Sequence, residues 1–154
     1  MDIFNQFWVP RKIYKPCGMF TEGHMILLLI SVCVLTFLLI ISIKITVEKI
    51  DILTKVFAVS LTFLEGIKIF FNFYWGYTKV NYWFPISFCS IFIYALWMSG
   101  FTNGYLKKLG DSFITGVTVV AGGAYLLFPS TSLTAYPIGH YLCIYSMLFH
   151  TLMI

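Results

Sequence analysis

The chain has 154 residues, of which 60% are hydrophobic, 19% aromatic and only 10% charged, against the roughly 25% charged residues of an ordinary soluble domain. That composition excludes a soluble globule. The formal net charge of +4 does not mark a nucleic-acid partner, because the basic residues are scattered over the tail and connections and do not line one face. Three stretches carry no charge at all: residues 23–43, 80–106 and 112–154. A bilayer core about 30 Å thick takes roughly 20 apolar residues at 1.5 Å each, so the first two gaps hold one span each and the third has room for two. The expectation is an all-α, polytopic transmembrane helical bundle.

Residues 1–23 read as an interfacial arm, with Arg11, Lys12 and Lys15 set among Phe4, Phe7, Trp8 and Tyr14 and broken by Pro10, Pro16 and Gly18. The first apolar run follows only after this arm and is too long for a signal-peptide core, so no cleaved leader is expected. Residues 24–154 form one transmembrane domain. Its first span, 24–43, is the most aliphatic, and 44–55 is a short charged connection. A second span covers 56–77, with Glu65 and Lys68 well inside it. The third, 80–101, carries Pro85, Ser87, Cys89 and Ser90 in its first half. After a polar turn comes a fourth span, 112–128, with a small-residue seam at Gly116 and Ala121 to Ala124 where another backbone can approach.

A polar stop at 129–135 precedes Pro137, which suits a first helical turn, and a fifth span, 138–154. Its 17 residues reach only about 25 Å, and no polar residue closes it, so the chain is expected to be C-terminally truncated. The connections after the first and third spans hold Lys44, Lys49, Lys55, Lys107 and Lys108, against Arg11, Lys12, Lys15 and Lys79 on the other side. The excess favours an extracytoplasmic N-terminus in a multi-pass cell-membrane protein.

A charged side chain inside a span normally faces protein and has a partner. Glu65 and Lys68 are three apart, within ion-pair reach, and Thr62 and Asn72 fall on the same stripe. This face reads either as a neutralised structural pair or as the lining of a polar cavity. On the fifth span His140, Cys143, Met147 and His150 share one sector, with Ser146 at its edge. The two histidines are about 15 Å apart along the axis, too far to hold one metal ion together. The spacings of Cys17, Cys33, Cys89 and Cys143 match no zinc or redox pattern, so neither a metal nor a cofactor is expected. Each histidine reads as an interhelical hydrogen bond or as a catalytic group. Cys89, one turn after Pro85, is either packing or a nucleophile activated by a base, and His140 or His150 can approach it from a parallel helix.

The stretch Phe63 to Ile69, containing Glu65 and Lys68, and the stretch Trp83 to Tyr94, containing Pro85-Ile86-Ser87-Phe88-Cys89-Ser90, resemble two motifs of the YwaF-like integral membrane proteins. These are the family's glutamate-lysine helix and its Pro-Leu-x-Phe/Leu-Cys-Ser motif. The later block from Leu127 to His150, with Pro129, Tyr136-Pro137, His140 and His150, is similar to the family's Pro, Tyr-Pro, His, His signature. His24 falls where these proteins often have a histidine. The resemblance covers nearly the whole chain in order. Ser87 departs from the histidine or tyrosine of many members, and Tyr145 from their histidine.

The resemblance implies a bundle of six or seven spans, of which about five are present here. Vertebrate relatives act as phospholipid acyltransferases, in which a cysteine and a histidine are implicated in moving a fatty acyl group onto a lysophospholipid. Carried over, Cys89 is the acyl-accepting thiol and His150 or His140 its base, with Glu65, Lys68, Asn72, Ser87 and His24 as cavity or structural residues. Membrane lipids are then the acyl donor and lysolipid acceptor, and no protein partner is identified. The alternatives are a non-enzymatic transporter or lipid-binding subunit, and an inactive truncated member.

Overall fold

The computed structural model describes residues 3–85 and 87–154. These are helical, with no strand among them: α1 (Ile3–Gln6), α2 (Glu22–Ser42), α3 (Val47–Tyr74), α4 (Val80–Trp83), α5 (Ile91–Phe101), α6 (Tyr105–Leu127) and α7 (Tyr141–Met153). Among the described residues three helices are long and apolar enough to cross a membrane: α2, residues 48–74 of α3, and α6. On α2 only His24 and Ser31 are buried, while Leu29, Ile30, Phe37 and Ile40 project outward. Such an apolar surface is unfavourable in water and at home in hydrocarbon.

The helix bounds depart from the expected spans in several places. The charged segment expected as a connection at 44–55 is mostly the start of α3, where Lys55 Nζ reaches Asp51 Oδ2 at 2.7 Å one turn away, a pairing that supports a helix. At its other end α3 stops at Tyr74. Gly76 adopts φ 68°, its amide donates to Phe73 O, and the Tyr77 amide donates to Asn72 O. This pair of bonds around a left-handed glycine is a Schellman stop.

Residues 80–101, expected as one span, form two helices. Pro85 holds Phe84 extended, at φ −110° and ψ 130°, and α5 restarts when Ile91 and Phe92 donate to Ser87 O and Cys89 O. α6 begins at Tyr105, earlier than the expected 112, and carries Lys107, Lys108 and Asp111 on its first turns. α7 has 13 residues and α5 has 11, so each is shorter than a crossing needs.

The chain divides into two compact units, one built from residues 3–40 with 121–152, the other from 41–120. In the first, Tyr136, Leu133, His24, His140 and Cys143 are fully buried. In the second, α3 packs on α4 and α5; Ala58, Leu61 and Phe71 on α3 and Phe92, Ala95 and Leu96 on α5 are buried. Trp97 Nε1–H of α5 donates to Thr62 Oγ1 of α3 at 2.9 Å. α6 meets α5 at Gly110, where an added Cβ would lie 2.6 Å from Ala95 O and 2.7 Å from Ser99 N. At Gly116 and Gly123, in the expected seam, a Cβ would meet no described atom within 4 Å. A close backbone approach thus falls at Gly110, outside the expected seam, and neither Gly116 nor Gly123 makes one with the described atoms.

Candidate functional site

The first unit holds all three histidines, and their hydrogen bonds fix their tautomers. At His24 the Phe20 amide donates to Nδ1 at 3.0 Å, so the proton is on Nε2, which donates to Leu126 O at 2.9 Å. Leu126 lies in the last turn of α6, where carbonyls lack a helical partner. Phe20 takes a left-handed φ of 57° and sets its ring edge-on to the imidazole. His24 thus ties the start of α2 to the end of α6.

His140 repeats the arrangement elsewhere. It is the N-cap of α7 and not a residue of its face: Nδ1 accepts the Leu142 amide at 3.0 Å, and Nε2–H donates to Val9 O at 3.0 Å. Both ring nitrogens are engaged by backbone. The ring stacks on Tyr136, with centroids 4.1 Å apart. Arg11 Nε–H donates to the Tyr136 hydroxyl at 3.0 Å, and its guanidinium lies 5.5 Å from the centre of that ring. The arm is further held by Cys17 N–H to Tyr136 O, Gly18 N–H to Leu133 O, and Tyr141 N–H to Phe7 O. Burial pushes the His140 imidazole down to about 4, only partly opposed by the bond to Val9, so the ring is neutral at pH 7.

His150, buried near the end of α7, has the other tautomer. Its Nδ1–H donates to Ser146 O at 2.7 Å, which puts the lone pair of the neutral ring on Nε2. The ring lies on Tyr125 at 3.6 Å between centroids, and the Tyr125 hydroxyl is 2.9 Å from both Thr131 Oγ1 and Ser132 Oγ. Cys143 is buried in α7 with its thiol directed at Tyr136 O, 3.6 Å away.

The second unit holds the remaining expected residues. Cys89 is half-buried in the turn before α5, and the Ser87 and Ser90 hydroxyls beside it are 2.7 Å apart. Lys68 of α3 is close enough for its charge to act on the Cys89 thiol. Glu65 is 3% exposed, with Lys68 Nζ 2.5 Å from its Oε1. Asn72 Nδ2–H donates to Tyr82 O at 3.1 Å, joining α3 to α4. The polar stripe of α3 thus brings Glu65, Lys68 and Cys89 into one neighbourhood. His24, His140 and His150 belong to the other unit.

Among the described residues no three His, Cys, Asp or Glu side chains gather where a metal ion would bind. Sequence reasoning placed Arg11 in the interfacial arm and Tyr136 in the family signature without relating either to a histidine, and it did not single out Tyr125. Their contacts are 125 residues apart for Arg11 with Tyr136, and no local pattern marks such a pairing. The polar end formed by Asp51, Lys55 and Lys107 also went unread, because these residues served only as topology markers. Comparison with protein-family models, curated proteins and solved structures finds no match to this chain.

Proposed function

We propose that the chain is a multi-pass membrane protein of the YwaF-like kind that transfers acyl groups between membrane lipids, with Cys89 as nucleophile and, as the resemblance implies, His150 or His140 as its base. The observation that supports it is Cys89 itself, half-buried beside the Ser87 and Ser90 hydroxyls and near enough to Lys68 of α3 to feel its charge. Burial raises the Cys89 thiol, and the charge of Lys68 opposes that shift only in part, so the reactive thiolate depends on a base.

In the proposed reaction a base takes the Cys89 thiol proton and the thiolate attacks the ester carbonyl of the donor lipid. The C–S bond forms, the ester C–O bond breaks, and the departing lysolipid oxygen takes the proton from the protonated base. An acceptor lysolipid hydroxyl then gives its proton to the base and attacks the thioester, and the proton returns to sulfur as the C–S bond breaks. The purified chain with labelled diacyl donor should accumulate a hydroxylamine-labile acyl group that Cys89→Ser lacks and that forms at least tenfold more slowly in His150→Asn or in His140→Asn. Labelling equal to wild type in Cys89→Ser excludes the reading.

The buried Glu65–Lys68 pair favours a second reading, a transporter or lipid-binding subunit whose path it lines. Under that reading Glu65→Gln abolishes uptake by proteoliposomes while Cys89→Ser leaves it unchanged.

A further inference from the structure

α3 is 28 residues long, about 42 Å, and so exceeds a bilayer core by about 12 Å. Its C-terminal end is aromatic, with Phe70, Phe71, Phe73 and Tyr74, as suits an interface. The surplus length therefore falls at its charged N-terminal end, at headgroup level. There, beside the end of α5 and the start of α6, lies a cavity of about 260 Å³ lined by Asp51, Lys55, Thr102, Asn103 and Lys107 together with residues 100–101.

Two cations converge on it. Lys55 Nζ reaches Asp51 Oδ2 at 2.7 Å, and Lys107 Nζ reaches Asp51 Oδ1 at 3.3 Å; Lys107 also donates to Ser99 O at 2.7 Å. Each ammonium has three N–H groups, so these bonds use half of the six. The formal charge of the three side chains is +1. The cavity lies at the N-terminal end of the 23-residue α6, whose positive pole adds to the two cations.

We infer that this cavity binds the phosphate of a singly charged phosphodiester, as a glycerophospholipid headgroup presents it, between Lys55 and Lys107. The charge of the site matches one negative charge, its donors are cationic or amide, and its place on α3 is at the depth of lipid phosphate. The 11 residues of α5, about 16 Å, separate it from the turn that carries Cys89. It is thus distinct from the proposed acyl-transfer centre, and its test does not depend on that reading.

Native mass spectrometry of the detergent-purified full chain tests this with phosphatidylglycerol, dioleoylglycerol and glycerol-3-phosphate as probes. Phosphatidylglycerol is expected to bind and dioleoylglycerol not to. Lys55→Gln with Lys107→Gln should weaken phosphatidylglycerol binding at least tenfold, while Lys44→Gln with Lys49→Gln changes it less than twofold. Asp51→Asn raises the site charge by one and should tighten binding several-fold, an outcome that misfolding does not produce. Displacement of the lipid by millimolar glycerol-3-phosphate identifies a free phosphorylated compound as an equal source of the phosphate; no displacement identifies the lipid. Equal binding of dioleoylglycerol, equal losses from the Lys44 and Lys49 changes, or weaker binding in Asp51→Asn overturns the inference.

Discussion

The imidazole of His150 lies flat on the phenol ring of Tyr125, with planes 8° from parallel. Since the Tyr125 hydroxyl is itself held by Thr131 and Ser132, the stack fixes both the position and the tilt of the histidine. Tyr125→Phe keeps the ring and loses the hydroxyl bonds, and should cost about 1 kcal/mol. Tyr125→Leu also loses the stacking and should cost about 1 kcal/mol more. Unfolding of the detergent-solubilised chain monitored by circular dichroism gives both values, and equal stability of the two variants would remove the stack from the account.

Gly110 and Gly116 sit on the same helix in opposite situations. A methyl at Gly110 collides with backbone atoms of Ala95 and Ser99, whereas one at Gly116 meets nothing described within 4 Å. Gly110→Ala should destabilise by about 1–3 kcal/mol, since the helices must separate to admit it. Gly116→Ala should be neutral or stabilising by up to about 1 kcal/mol through helix propensity. The same unfolding measurement ranks them, and the reverse order refutes the packing described for α5 and α6.

His140 gives the folded state a pH dependence of definite sign. In the unfolded chain the imidazole protonates near pH 6.5, but in the native chain not until about 4. The unfolded state binds the extra proton between these values, so stability is full above pH 6.5 and falls as the pH drops toward 4. Protonation of Nδ1 also removes the acceptor for the Leu142 amide. His140→Asn keeps an acceptor at the N-cap without titrating, so its stability should change less over this window than that of the wild type. Parallel pH profiles for the two proteins would exclude His140 as the source.

Lys68→Met leaves the Glu65 carboxylate, 3% exposed, without its ammonium, and should cost about 3 kcal/mol. Adding Glu65→Leu should restore most of that loss if the pair is structural. Recovery of stability with loss of transport or acyl labelling would place the charges in function. No recovery would show that Glu65 holds further parts of the fold.

Much of the helical architecture was legible because α2 and the middle of α3 carry long apolar runs, and hydropathy reads such runs directly. The errors share one cause, which is that hydropathy measures what a helix sits in and not where it begins. Glu48, Asp51 and Lys55 looked like a connection because they are charged, yet they extend α3 by two turns. The break at Phe84 is signalled by Pro85, although hydropathy alone carries one apolar span straight through it. His140 matched the spacing of a helical stripe, and its role as a cap was hidden because the helix starts one residue later. Arg11 with Tyr136 left no local trace, since cation–π and hydroxyl contacts across 125 residues follow from tertiary folding alone.

The unwound stretch between α4 and α5 bears on the fate of any intermediate formed there. Hydrocarbon offers no hydrogen bonds to a backbone that has left its helix, so such a segment at membrane depth must be enclosed by protein or reached by water. Under the acyl transfer proposed above, water that enters beside Cys89 would compete with a lysolipid hydroxyl for the same activated carbonyl. The acceptor would then have to be seated before the thioester forms, or each acyl group taken up would be lost as free fatty acid.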